Sequence, residues 1–267
     1  MILDLAAVGD NCIDRLKGAV TSELVGGNAV NVAVQAAGCG LRAAYAGAVG
    51  PAGEAEGDRV VAALAARKVD TSLIARHDRP TSVTQILVGA DGDRRIVHED
   101  FGACAGWTPD PDTLAVLLRA RHVHIGWLQD GGALRRALVA AGVPVSQDVT
   151  VNAAPEDLGV MGLTLAFASL PEAEAGQAEA RAADLLAAGA RGVVVTLGRQ
   201  GSLALLDGHV WRAEALPVEA VDTTGAGDAF IAGFLAARLR GADVPGALAA
   251  GHRIAARCCQ HPGGFPQ

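Results

Sequence analysis

The stretch Val221-Asp222-Thr223-Thr224-Gly225-Ala226-Gly227-Asp228-Ala229-Phe230, running on into Ile231-Ala232-Gly233-Phe234, sets two glycines and an alanine directly before a helical pattern. Backbone without large side chains at a helix N-terminus leaves several N–H groups pointing outward, where the positive end of the helix dipole also lies. Such a start is an anion site, suited to a phosphate or a phosphoryl group in transfer. Asp228 falls in the first turn, beside that site rather than in it, where a carboxylate is poised to accept a proton from an attacking hydroxyl. A plain helix cap reads the same residues, since Asp is common in first turns and Gly in loops. The stretch is neither a G-x-G-x-x-G after a strand nor a Walker loop, because no Lys follows the glycines.

Outward from this turn, strand-like and helix-like segments alternate. Leu3 to Val8, Arg42 to Val49, Val123 to Ile125, Val143 to Ser146, Leu163 to Ala168 and Gly192 to Thr196 read as strands. Asn28 to Ala37, Glu54 to Ala66, Gly132 to Ala141 and Glu172 to Ala188 read as helices, the first stopped by Gly38-Cys39-Gly40. This rhythm predicts an α/β fold with a mainly parallel sheet covered on both faces. Two segments break it. Ile13 to Val25 is too short and polar for a crossover helix, and Ser82 to His98 carries a hairpin signal around the turn Ala90-Asp91-Gly92-Asp93. Both are expected in a small antiparallel flap beside the main sheet, within one domain spanning residues 1–267.

Composition narrows the function. The 267 residues are 51% hydrophobic but only 3% aromatic, so the core should be built from small residues, with helices packed closely on the sheet. A chain of this length buries roughly three quarters of its unfolded surface and needs no disulfide or metal to hold it together. The net charge of −7 argues against nucleic acid, since no excess of cations exists to displace counterions. The longest charge-free stretch, Leu24 to Leu41, contains Asn28, Asn31 and Gln35, which a bilayer would penalise. Met1-Ile2-Leu3-Asp4-Leu5 offers no basic region for a secretory signal, and the five scattered cysteines suit reduced thiols. A cytoplasmic protein without a membrane partner is expected.

Two further glycine turns bear on the site. Val193-Val194-Val195-Thr196-Leu197-Gly198-Arg199-Gln200-Gly201-Ser202 places a strand before a glycine-bearing turn, which reads either as an ordinary hairpin or as a cradle for the remote phosphates of a nucleotide. Gly26-Gly27-Asn28-Ala29-Val30-Asn31-Val32-Ala33 opens a helix with two glycines and two amides, and amides suit neutral, hydroxyl-rich ligands. Capping by Asn28 is the plain alternative; Asn31, one turn on, is less easily explained that way.

These elements, in this order, resemble the PfkB/ribokinase family of carbohydrate kinases. Gly26-Gly27-x-x-x-Asn31-x-Ala33 is similar to the first signature of that family, and Asp222-Thr-x-Gly-Ala-Gly-Asp228 to its second. Gly9-Asp10-Asn11-Cys12-Ile13-Asp14, Phe167-Ala168-Ser169-x-Pro171 and Phe230-Ile231-Ala232-Gly233-Phe234 resemble more closely the members that phosphorylate a sugar–lysine adduct such as fructoselysine. The resemblance implies a ribokinase-like three-layer αβα sandwich with a small β lid, formed by segments of about 13–25 and 82–98. It implies transfer of the ATP γ-phosphoryl group to a primary sugar hydroxyl, with Mg²⁺ bridging the phosphates. Asp228 would be the base, and Gly225, Ala226 and Gly227 the anion hole. Thr196, Gly198 and Gly201 would hold the nucleotide together with Gly225 and Gly227, and Asp14, Gly27 and Asn31 the sugar. Asp222 and Thr224 lie near a loop that binds a monovalent cation such as K⁺ in some members. On the lid, Gln85 would offer an amide to the rest of the substrate, Arg94 a cation for its carboxylate, and Glu99 or Asp100 an anion for its ammonium. Pairing of two lids into a homodimer would cover the exposed strand edges.

The chain departs from the family where Asn-x-x-Glu, which organises Mg²⁺ through water, reads Ser169-x-x-Glu172, and where two acidic residues after Val49-Gly50 become Pro51-Ala52. The carboxylate of Glu172 remains for the metal; the Pro51-Ala52 loop receives no role. His122 and His124 share a strand face, but no third ligand is implied nearby, and a hydrogen-bonded core pair is the expectation. Cys258-Cys259 should pack in a helix. Trp127 reads as packing or as a stacking surface, and Asp148 as a turn residue or a sugar contact. A kinase for another sugar or a nucleoside shares all the phosphate signatures. A non-catalytic nucleotide-binding protein would be expected to have lost Asp228, and a Rossmann oxidoreductase to carry a glycine fingerprint after the first strand.

Overall fold

The runs Leu5–Val8, Ala43–Val49 and Gly192–Val195 are apolar without polar alternation, as strands covered on both faces require. The computed structural model describes residues 2–89 and 94–267. Its first half runs β1 (Leu5–Val8), β2 (Cys12–Gly18), β3 (Ser22–Gly26), α1 (Asn28–Gly38), β4 (Ala43–Val49), α2 (Ala55–Ala66), β5 (Ile74–Arg76), β6 (Val83–Val88), β7 (Arg94–Asp100), α3 (Pro111–Leu117) and β8 (Val123–Ile125). The second half runs α4 (Ala133–Ala140), β9 (Val145–Asp148), β10 (Leu165–Ser169), α5 (Ala178–Ala187), β11 (Gly192–Thr196), β12 (Ser202–Leu206), β13 (His209–Ala213), α6 (Ala226–Leu239) and α7 (Val244–Cys258). The helix expected from Glu172 begins only at Ala178, because Glu172–Gln177 forms a tighter 3₁₀ segment. Cys258 ends α7, and Cys259 lies just beyond it.

Nine strands form the main sheet in the order β13-β12-β11-β10-β9-β8-β1-β4-β5. Those from β11 to β5 are parallel, and β12 and β13 add an antiparallel edge. Alternate residues of each strand enter two separate cores. Leu5, Ala7, Tyr45 and Val49 pack with α1, α2, α6 and α7; Ala6, Val8, Ala44 and Ala46 pack with α3, α4 and α5. The expected three-layer αβα sandwich follows from that alternation.

Strand β1 lies between β8 and β4, so successive crossovers leave it in opposite directions. Ligands of parallel α/β sheets bind at the carboxyl ends of strands beside such a reversal. Over that region lies a second sheet, ordered β3-β2-β6-β7, built from the two segments that interrupt the strand–helix rhythm. The Asp91-Gly92 turn expected between β6 and β7 lies outside the described residues. Among the described residues no helix is long and apolar enough to cross a membrane.

Small residues set the helix spacing. A Cβ on Gly233 would stand 2.8 Å from the Ala250 carbonyl oxygen, and one on Gly251 would stand 2.7 Å from the Phe230 ring. Phe230 in turn packs against Phe234, which meets Phe167 of β10 edge to face. Gly251→Ala should therefore lower stability by about 1–3 kcal/mol, the usual cost of an overfilled core. Chemical denaturation should show the midpoint falling with the slope unchanged.

Candidate active site

Two helix starts meet at the β1/β8 reversal. Helix α1 begins after Gly27, whose φ of 107° no L side chain adopts easily and whose Cβ would stand 2.6 Å from Asn11 Cα. No side chain of its own turn caps α1. The cap comes from Asp10, just past β1, whose carboxylate accepts the N–H groups of Asn28 at 3.1 Å and Ala29 at 3.3 Å. Helix α6 begins after Gly225, at φ 75°, also with no side-chain cap; the Ala226 N–H donates to the Thr223 carbonyl at 3.2 Å, while those of Gly227 and Asp228 are left for a ligand. A Cβ on Gly227 would meet nothing within 4 Å. Protein packing thus gives no reason for a glycine there, whereas close approach of an anion does.

Asp228, in the first turn of α6, accepts hydrogen bonds from Asn28 Nδ2 at 2.6 Å and Asn31 Nδ2 at 2.7 Å. Asn28 Nδ2 also donates to Asp148 at 3.0 Å. Asn28 is thus no cap: its amide bridges two carboxylates. The amide orientation follows from these carboxylates, which accept hydrogen bonds, and it leaves the Oδ1 atoms of Asn28 and Asn31 against Gly126 and Gly264 without hydrogen-bond partners. Asp148 is both things expected of it, closing a turn through the Thr150 N–H and presenting its other oxygen to Asn28.

Removal from water pushes these carboxyls up. Asp10 rises to about 6 through burial, against the hydrogen bonds from Ala29 and Asn28. Burial lifts Asp228 well above the carboxylate range, opposed by the Asn31 hydrogen bond and reinforced by the charges of Asp148 and Asp10. Asp148 rises for the same first reason. Motif reading missed Asp10 and the bridging role of Asn28. The available signal was position: Asp10 and Asp148 both stand at the carboxyl ends of parallel strands.

The second sheet supplies Asp14, 9% exposed, with burial raising its carboxyl and Cys12 Sγ donating to it at 3.1 Å. Asp14 pairs in register with Thr84, and Arg15 with Gln85. Neighbours in register share a face and successive residues alternate, so Gln85 lies on the face opposite Asp14, and the expectation that both meet one substrate is corrected. Arg94 is corrected too. Its Nη1 donates to Asp222 at 2.7 Å and to Thr224 Oγ1 at 3.1 Å, so it is not free for a substrate carboxylate. The same contact removes the fit for a monovalent cation at Asp222, whose two oxygens already accept from Thr224 N–H, Gly263 N–H and Arg94.

On the other side of α6, Thr196 at the end of β11 shares a 2.6 Å hydrogen bond with Ser169. Gly198 and Gly201 lie in the hairpin joining β11 to β12, and a Cβ on Gly201 would stand 2.0 Å from the Ala213 carbonyl oxygen. Gly201 therefore needs no ligand to account for it. The Glu172 carboxylate accepts the Arg199 N–H and Nε, each at 3.1 Å, in an ion pair open to solvent. Ser146 Oγ joins His122 and His124 at 2.8 and 2.9 Å, and burial holds both imidazoles low, at about 4 and 3. Trp127 stacks on Phe101 at 3.8 Å.

A carboxyl whose folded pKa lies above its unfolded one adds stability that is complete below the unfolded value and is lost as pH rises through the folded one. Asp228→Asn removes one of three mutually repelling carboxylates, with the Asn31 amide able to turn over and accept from the new amide. The variant should melt above the wild type at alkaline pH, and the gap should narrow as pH falls and the wild type takes up protons. Differential scanning calorimetry across a pH series checks both statements.

A model of pfkB family carbohydrate kinases matches residues 14–266. The chain is 34% identical over 265 residues to the fructoselysine 6-kinase of Shigella flexneri, covering 98% of this chain and 99% of that protein. Against the fructoselysine 6-kinase of Escherichia coli strain K12 it is 33% identical over 264 residues, again with 98% and 99% covered. Among solved structures, Arabidopsis thaliana ribokinase complexed with ribose and ATP matches with a TM-score of 0.86 at 24% identity, over 100% of this chain and 96% of that one, a likeness of fold. Because the family match runs unbroken from β2 to the loop after α7, taking in both helix starts that converge on Asp228, the chain belongs to the pfkB family of carbohydrate kinases and is a phosphotransferase acting on a sugar hydroxyl.

Proposed function

We propose that the protein transfers the γ-phosphoryl group of ATP to a primary hydroxyl of a sugar–amine, with fructoselysine or a related fructosamine as acceptor. The observation that carries the chemistry is the desolvated Asp228 carboxylate beside the uncapped start of α6. Low access to water makes Asp228 a stronger base toward a hydroxyl, and Asn28 and Asn31 hold it in place. The N–H groups of Gly225, Ala226 and Gly227 receive the charge that develops on the phosphoryl oxygens. Asp14, Gly27 and the second N–H of Asn31 hold the sugar, while Thr196, Gly198 and Gly201 border the nucleotide. Mg²⁺ arrives as part of MgATP.

The identity to fructoselysine 6-kinases supports the acceptor, and so does a cavity of about 650 Å³ lined by Arg79, Glu99, Asp100, Phe101, Trp127 and Asn152, among others. It adjoins the site through Gly126, which touches the Asn28 amide and precedes Trp127. Arg79 offers a cation for the carboxylate of an amino-acid substituent, and Glu99 and Asp100 offer anions for its ammonium. With Arg94 committed elsewhere, Arg79 takes the part expected of it. The five cysteines are all unpaired, which fits a reducing cytoplasm. The edge strand β7 of the second sheet also exposes Ile96 and Val97, at 56% and 53%. We read that surface as the contact of a homodimer.

ATP consumption against fructosamines, free sugars and nucleosides tests the reading. Fructoselysine should exceed free fructose and ribose in kcat/KM by at least about tenfold, since one charge-assisted contact is worth roughly 1.5–3 kcal/mol. Arg79→Ala should narrow that gap, and Asp228→Asn should lower kcat by about 10²–10⁴. Equal turnover of a simple sugar or a nucleoside would overturn the substrate and leave a kinase. Sedimentation at micromolar concentration should give a dimer, and a monomer would remove the lid contact.

A further inference from the structure

The loop that leads into α6 carries a carboxylate almost wholly shut off from water. The side chain of Asp222 is 2% exposed. Its Oδ1 accepts the Thr224 N–H at 2.9 Å, and its Oδ2 accepts the Gly263 N–H and Arg94 Nη1, both at 2.7 Å. An ionised carboxylate in such a place is costly unless it is paired and hydrogen-bonded. The cation that contacts it does not come from the loop, from α6 or from α7. It comes from the first residue of β7, on the second sheet, 128 residues earlier in the chain.

The same Nη1 also binds Thr224 Oγ1, one residue before Gly225, the N-cap of α6. From the far side Cys258 Sγ donates to the Thr224 carbonyl at 3.5 Å. The turn is thus held between the second sheet and α7. We propose that the Arg94 guanidinium is the resident cation of the Asp222 loop, so that the loop requires no monovalent metal ion and Gly225–Asp228 are held in position by docking of the second sheet. Arg94 acts through Asp222 and Thr224 and touches no reacting atom, which makes it a positioning residue. Its charge reaches Asp14 as well, where it favours the ionised form against burial. One side chain therefore serves both the sheet expected to cover the sugar and the turn expected to receive the phosphoryl group. The contacts stand independently of the substrate; only what the positioned turn does rests on the kinase reading.

The nucleotide-free full chain is the material for the test. Its melting temperature should be the same in potassium chloride and in tetramethylammonium chloride of equal ionic strength. Selective stabilisation by potassium would overturn the proposal. Arg94→Ala should melt lower by about 5 °C or more, the scale expected when a buried carboxylate loses its partner in a chain of this size. Amide exchange should quicken across Asp222–Asp228 while α5 exchanges as before. Millimolar guanidinium ion should reverse both changes in Arg94→Ala and do nothing for Arg94→Ala combined with Asp222→Asn, which has no charge left to neutralise. Unchanged exchange in the turn, or rescue that persists without the Asp222 carboxylate, would overturn the assignment. Should Arg94→Ala not fold, Arg94→Lys keeps the charge and should stay indifferent to potassium; a potassium response in that variant would count against the proposal. None of these readouts needs a sugar, so failure to phosphorylate any fructosamine would sink the substrate and leave this proposal standing.

Discussion

Two asparagine amides hold the Asp228 carboxylate away from water, and much of the surrounding backbone is shaped to let them do so. Asp10 and Asp148 crowd the same corner, so each carboxylate raises the cost of ionising the others. A hydrogen bond to a charged group returns about 1.5–3 kcal/mol, while taking a carboxylate out of water costs several. The corner is therefore a net cost to the folded state, offset by the two cores on either side of the sheet. Gly27, Gly126 and Gly264 lack side chains because the Asn11 backbone and the two amides occupy the space a Cβ would need. Such local strain against a well-packed frame is what a reactive group requires and a merely structural one does not.

The sheet order separates the two halves of the proposed reaction. Asp10 and Asn28 stand at the end of β1, while Thr196 and the Gly198–Gly201 hairpin stand at the end of β11, four strands away. At about 4.8 Å per strand this is roughly 19 Å, a span an extended triphosphate nucleotide can bridge. In that proposal the start of α6, with the N–H groups of Gly227 and Asp228 unpaired, receives the phosphoryl group in transit. Glu172 pairs with Arg199 of the hairpin and so ties the end of β10 to that turn.

Much of this was legible from the chain itself. Apolar runs of four to seven residues between Ala-rich helices specify a parallel sheet, and the glycines beside Asn31 and Asp228 mark both helix starts. The hairpin into β12 is one of the two readings of Gly198–Gly201, but the outer strand β13 breaks that rhythm and was not expected, although Asp207-Gly208, at φ 52° and 76°, is a tight-hairpin signal between two strands. Helix α3 has a readable start as well, with Asp110 capping Thr113 and Pro111 in the first turn, but it is only seven residues long. Where Arg94 would point was not legible. A lid cation and a loop carboxylate 128 residues apart carry no local trace of each other, and only the folded sheet brings them together. The sides taken by Gln85 and Asp14 likewise depend on the β2–β6 register, which no single strand encodes.

The bonds from Asn28 and Asn31 to Asp228 join residues 200 and 197 positions apart. Closing a loop of that length is entropically expensive and is recovered only when most of the intervening chain has already collapsed. The carboxylate corner must then be among the last parts of the molecule to assemble, after the β1–β4 neighbourhood that residues close in sequence can build. During synthesis the base is made with α6, long after Asn28 and Asn31, and the core that α6 and α7 complete must wait for it too. Recovery of turnover after denaturation would accordingly lag behind recovery of secondary structure, and activity would report completion of folding rather than its onset.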